Sequence, residues 1–69
     1  MTINQKLIEL RKNKKLSQRE LSARAGISQQ AISKYELGSI LPAPDAARRI
    51  AKVLEISEEE MFRVFYGKE

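Results

Sequence analysis

Gln29, Gln30, Ser33 and Lys34 lie close together and are all able to donate or accept hydrogen bonds. At 3.6 residues per turn they fall on one side of a helix with Leu37, while Ala31, Ile32 and Tyr35 fall on the other. A glutamine amide pairs bidentately with adenine in the DNA major groove and a lysine with guanine, so this stripe carries the chemistry of base reading. An isolated polar stripe is otherwise only a solvated helix face. The choice turns on what precedes it.

Residues 16 to 38, LSQRELSARAGISQQAISKYELG, spell two short helices joined by a tight turn. Ser17 and Glu20 have the spacing of a capping box, with Leu16 and Leu21 as its hydrophobic staple. Gly26 ends the first helix at a position that favours positive φ, and Ser28 caps the second, with Ile27 and Ile32 at stapling positions. Gly38 stops the second helix after Leu37. Two helices so closely joined, the second with a polar outer face, form a device for reading DNA.

Three further helices and no strands are expected. The first runs from about Ile3 to Asn13, capped by Thr2 with Gln5 in the box position, and buries Ile3, Leu7 and Leu10. After the loop SILPAP, Pro44 fits the first turn of a helix running to Leu54, with Asp45 suited to its dipole and Ala47, Ile50, Ala51 and Leu54 facing inward. Ile56, Ser57, Glu60 and Met61 repeat the staple-and-box pattern and open a last helix, Glu58 to Tyr66. Met61, Phe62 and Phe65 have core spacing there, while Val64 and Tyr66 extend apolar character around the helix. Tyr35 is read as core, because it shares a side with Ile32 and duplex DNA offers no unstacked base.

Composition narrows the function classes. The 69 residues have room for one domain, and 42% hydrophobic with 32% charged residues suits a folded one. The absence of Cys and His excludes disulfides, the usual zinc sites and imidazole chemistry; no metal or cofactor is expected. No apolar run is long enough to span a bilayer and the opening MTINQK is no signal peptide, so a cytoplasmic location is expected. Net charge is +4, but residues 1–37 hold eight Lys or Arg against three Glu, whereas residues 38–69 are slightly acidic. The basic half contains the reading helix, as an approach to phosphate requires. Arg11, Lys12, Lys14 and Lys15 also suit a helix C-terminus, and both roles are compatible. No nucleophile and base pair is evident, and Glu58, Glu59 and Glu60 are read as helix-start charges, so an enzyme is not expected.

The chain resembles the Cro/C1-type, or XRE, helix-turn-helix family of phage repressors and their bacterial relatives. The likeness runs from about Ile3 to Phe62. It rests on Leu7, Leu10 and Arg11, LSQREL, Ala25-Gly26-Ile27-Ser28, Ile32-Ser33-Lys34-Tyr35-Glu36, Gly38, Pro42, Ile50-Ala51-Lys52-Val53-Leu54, Ile56-Ser57 and Glu60-Met61-Phe62, in that order. It implies an all-α, compact five-helix, lambda-repressor-like fold as a single domain over residues 1–69, with the helix-turn-helix at 17–37. It implies double-stranded DNA as partner, with the second paired helix in the major groove. On the family pattern Gln29, Gln30, Ser33 and Lys34 read bases, Lys34 serving phosphate equally well. Gln18, Arg19, Arg11, Ser28 and Ser39 are expected at phosphates, Arg19 equally as a solvated charge. Arg11 and Glu36 match a largely buried salt bridge. A homodimer is expected through Val64, Phe65 and Tyr66, the other reading being that Val64 and Tyr66 wrap a thin core. The implied activity is a sequence-specific regulator, most simply a repressor on an inverted repeat; the alternative is an antitoxin or co-regulator that docks a protein through the same fold.

The chain departs from the family in three places. Leu37, Ser39, Ile40 and Leu41 stand where basic or amide residues are common, which argues against minor-groove contact by that loop. Lys15 and Glu55 stand where relatives often have glycine and should carry modest strain if left-handed. Ala43 replaces a capping side chain, weakening that helix start by about 1 kcal/mol, with Pro44 and Asp45 offsetting part of it.

Overall fold

A computed structural model describes residues 3–67 of the chain. Among them five helices follow one another without a strand: α1 Gln5–Asn13, α2 Gln18–Ala25, α3 Gln29–Leu37, α4 Pro44–Leu54 and α5 Glu58–Tyr66. The fold is all-α.

The helix ends are set by short-range chemistry. At α2 both capping-box bonds form: the Ser17 hydroxyl accepts from the Glu20 amide at 3.0 Å and the Ser17 amide donates to the Glu20 carboxylate at 2.8 Å. The bond from the Ser17 amide, joined by that of its hydroxyl, holds the Glu20 carboxyl below its ordinary pKa. Gly26 adopts φ +69°, so the chain turns at once into α3, whose cap Ser28 accepts from the Ala31 amide at 3.1 Å. Gly38, at φ +77°, ends α3. Ser57 accepts from the Glu60 amide to start α5.

The start of α1 differs from expectation. Thr2 lies outside the described residues; the cap is Asn4, whose Oδ1 accepts from the Leu7 amide at 3.1 Å, so the helix begins at Gln5 rather than Ile3. Asn4 is also held from elsewhere in the fold. Its backbone amide donates to the Glu36 carbonyl at 2.8 Å and its Nδ2 to the Val64 carbonyl at 3.2 Å. These distant acceptors fix the entry of the chain, and Ile3 is left 53% exposed instead of joining the core.

Each helix sends one large side chain to full burial: Leu7, Leu21, Ile32, Ile50 and Met61. Ala47, Ala51 and Leu54 complete the inner face of α4, which packs against both α2 and α5. Tyr35 is buried and meets Phe65 edge-on, with ring centroids 5.9 Å apart at 72°. The core thus grips α3 from behind and leaves its polar stripe outward.

Among the described residues Lys15 and Glu55 are the non-glycine residues with positive φ, at 59° and 61°. Lys14 and the Glu55 carboxylate pair across the ends of α1 and α4, tying these two left-handed corners together. At α4, Ala43 has the backbone of a cap, φ −65° and ψ 159°, but no side-chain capping bond, while Pro44 occupies the first turn. Ala43→Ser is expected to stabilise the fold by about 1 kcal/mol by supplying the missing acceptor. Thermal denaturation should then show a rise of roughly 4–8 °C; an unchanged midpoint would mean that Pro44 and Asp45 already satisfy this helix end.

Candidate nucleic-acid interface

Gln29 and Gln30 open α3 and are exposed, with Lys34 exposed one turn on and Ser33 half-buried beside them. Gln18, the first residue of α2, stands next to this end of α3. Gln18, Gln29, Gln30 and Ser33 together line one open cleft. Five donor and acceptor side chains are thereby presented on the ends of two rigid helices rather than on a loop. Arg19 is exposed beside Gln18, and Ser28 is exposed with its hydroxyl engaged as the α3 cap. Ser39 is exposed just past α3, its amide donating to the Lys34 carbonyl at 2.9 Å.

Behind the cleft lies a buried ionic network. Arg11 Nε donates to Glu36 Oε2 at 2.6 Å, Nη2 donates to Glu36 Oε1 at 3.2 Å, and Nη1 donates to the Leu16 carbonyl at 2.8 Å. The fork of Arg11 thus matches both carboxylate oxygens and one carbonyl. Glu36 is 4% exposed and Arg11 9%. Three of the five N–H donors of Arg11 are thereby used, and the side chain serves as a strut between α1 and α3.

Two contacts escaped the sequence reading. Gln18 Nε2 donates to Glu36 Oε1 at 2.9 Å, so the residue expected at phosphate is itself anchored to the buried pair. Arg49, on α4, donates to the Gly26 carbonyl at 3.3 Å and pins the turn between α2 and α3. No local spacing signals either contact.

The expected partner surface on α5 is also revised. Phe65 is 7% exposed and packs on Tyr35, so it belongs to the core. The reason is rotational: the side of α5 that carries Met61 also carries Phe65, and both face inward. Val64 is half-buried and Tyr66 is 36% exposed, its hydroxyl donating to the Pro42 carbonyl. Burial raises the Tyr66 phenol above its ordinary pKa. Leu37, Ile40 and Leu41 are exposed along the end of α3 and the following loop, an apolar edge where a phosphate-gripping loop would be basic.

Among the described residues no group of three or more His, Cys, Asp or Glu is placed to hold a metal ion. No described helix is long and apolar enough to cross a membrane. The site is therefore a polar cleft on a basic half of the chain.

A helix-turn-helix family model matches residues 7–61, most of the chain and all of the cleft. The chain belongs to the Cro/C1-type helix-turn-helix family. Within this family it is 41% identical over 54 residues to an uncharacterized HTH-type transcriptional regulator of Sinorhizobium fredii, covering 78% of this chain and 28% of that protein. It is 34% identical over 61 residues to the HTH-type transcriptional activator BcrR of Enterococcus faecalis, covering 88% of this chain and 30% of that protein. The chain thus spans less than a third of the length of these relatives. Both relatives are named as regulators of transcription, and the part of each that this chain matches is the helix-turn-helix stretch.

Proposed function

We propose that residues 1–69 act as one helix-turn-helix unit that binds double-stranded DNA in a sequence-specific manner, with α3 in the major groove. The observation that carries this reading is the cleft of Gln18, Gln29, Gln30 and Ser33, held on helix ends over a buried ionic pair. Gln29, Gln30, Ser33 and Lys34 read base edges. Gln18, Arg19, Ser28 and Ser39 lie at the sugar-phosphate backbone and set register.

The unit works as a homodimer on an inverted repeat, in the cytoplasm, and represses by occupying its operator. Two reading helices one DNA turn apart are separated by about 34 Å. The longest dimension of the fold is 29 Å, so there is room for two copies side by side at that spacing. Val64 and Tyr66 offer an edge for this pairing, and with only two partly exposed side chains there it is proposed to form on DNA rather than in solution.

Selection of random duplex DNA with the purified protein tests this reading. The expected result is an enriched inverted repeat with half-sites one helical turn apart. Binding without enrichment, governed only by salt, would overturn it and favour a module that docks a protein.

A further inference from the structure

Leu37 stands in the middle of the outward stripe of α3. It follows Gln30 by seven residues, which at about 100° per residue brings it back to within about 20° of Gln30, with Ser33 and Lys34 on either side one turn earlier. The opposite side of α3 enters the core with Ile32, Tyr35 and Glu36, whereas Leu37 is 48% exposed. Leu41, four residues on, turns another way: it lines an open groove with Ile3, Val64 and Phe65, which Leu37 does not line. The last turn of α3 is also held at its end. The carbonyls of Lys34, Tyr35 and Glu36 accept the amides of Ser39, Gly38 and Asn4 at 2.9, 3.2 and 2.8 Å, so the backbone that carries Leu37 keeps its helical form.

A leucine set among amides, a hydroxyl and a lysine has one counterpart in the major groove of unmodified DNA. The base edges there present hydrogen-bond donors and acceptors and a single apolar group, the C5-methyl of thymine. We propose that Leu37 is a specificity-determining residue that packs on a thymine methyl, within about three base pairs of the position read by Gln30, the reach of two helical turns along the DNA axis. The contact takes apolar surface on both sides out of water, and it discriminates against cytosine, which has an amino group and no methyl on its major-groove edge. This rests on the DNA-reading function proposed above.

In the experiment, the operator recovered by random-duplex selection is resynthesised with deoxyuridine in place of each thymine in turn, a change that removes the methyl and leaves every hydrogen-bonding group. Affinity at one fixed salt concentration is measured for wild type and for Leu37→Ala, which keeps a good helix former at an exposed position and is first shown to melt cooperatively. The expected result is one thymine per half-site whose replacement weakens wild type by about fourfold, the worth of moving one methyl group out of water. Leu37→Ala should bind the thymine operator about fourfold more weakly than wild type and be indifferent to uracil at that one position, since the leucine and the methyl act as a pair. A wild type indifferent to uracil at every position would overturn the proposal whether or not the variant folds, as would a uracil penalty that persists undiminished in Leu37→Ala. Either result would return Leu37 to the apolar edge of Ile40 and Leu41. Absence of any enriched sequence with wild type would instead overturn the DNA-reading function itself.

Discussion

Replacing Gln29 and Gln30 together with alanine is expected to erase most of the protein's preference for its operator over random DNA. Both side chains are exposed at the start of α3, and each bidentate contact to a base is worth about 1–3 kcal/mol of discrimination. Their joint loss reduces the specificity ratio by roughly 30-fold at the least, taking about 1.4 kcal/mol per factor of ten. Folding should be unaffected, because neither side chain enters the core. Binding to random DNA should also persist, since that term comes from Lys and Arg at phosphates and depends on salt rather than on amides. Fluorescence anisotropy with operator and scrambled duplexes at one fixed salt concentration separates the two. A double variant that still distinguishes the duplexes as well as wild type would remove α3 from the recognition mechanism.

Removing one partner of the Arg11–Glu36 pair is expected to have the largest effect on stability. In Arg11→Met the Glu36 carboxylate keeps its 4% exposure but loses its counter-charge, and the Leu16 carbonyl loses a donor. Breaking a buried pair in this way costs about 3–5 kcal/mol, whereas replacing both partners with apolar groups of similar size is often neutral. At about 0.05–0.15 kcal/mol of stability per residue a chain of 69 residues holds roughly 3–10 kcal/mol, so the single variant should lose a third or more of its stability. Urea denaturation of Arg11→Met, Glu36→Leu and the double variant checks this, with the double recovering most of the loss. The surface pair Arg63 and Glu59, whose side chains are 69% and 84% exposed, provides the contrast, and breaking it should have little effect. Equal effects from the two pairs would mean that water reaches Arg11.

The parts of the fold legible in the sequence are those governed by neighbours three or four residues apart. Ser17, Gly26, Ser28, Gly38, Pro44 and Ser57 mark helix ends through bonds to nearby amides or through their own backbone preferences, and the observed boundaries of α2 to α5 follow them. The start of α1 at Asn4 depends also on bonds to Glu36 and Val64, far along the chain, which no local spacing signals. The same holds within the site. The helical period brings Gln29, Gln30, Ser33 and Lys34 to one face, but the tether of Gln18 to Glu36 depends on how α2 crosses α3. On α5, apolar residues surround most of the helix, so periodicity alone did not separate Phe65, which packs on Tyr35, from Tyr66, which reaches Pro42.

The core built from one deeply buried side chain per helix bears on how the protein comes apart. Helices of 8–11 residues are too short to persist alone in water, and each here depends on its neighbours to cover its apolar side. No subset of them makes a self-sufficient remnant. The hydrogen-bonded amides beyond the first turn of α3 are therefore expected to exchange with solvent only when the whole molecule opens, and a protease that cuts the opened chain leaves no fragment able to hold the glutamines in register. Occupancy of a binding site and survival of the polypeptide are thus tied to a single opening event, so a ligand that retains the closed form, DNA included, also lengthens the life of the protein that binds it.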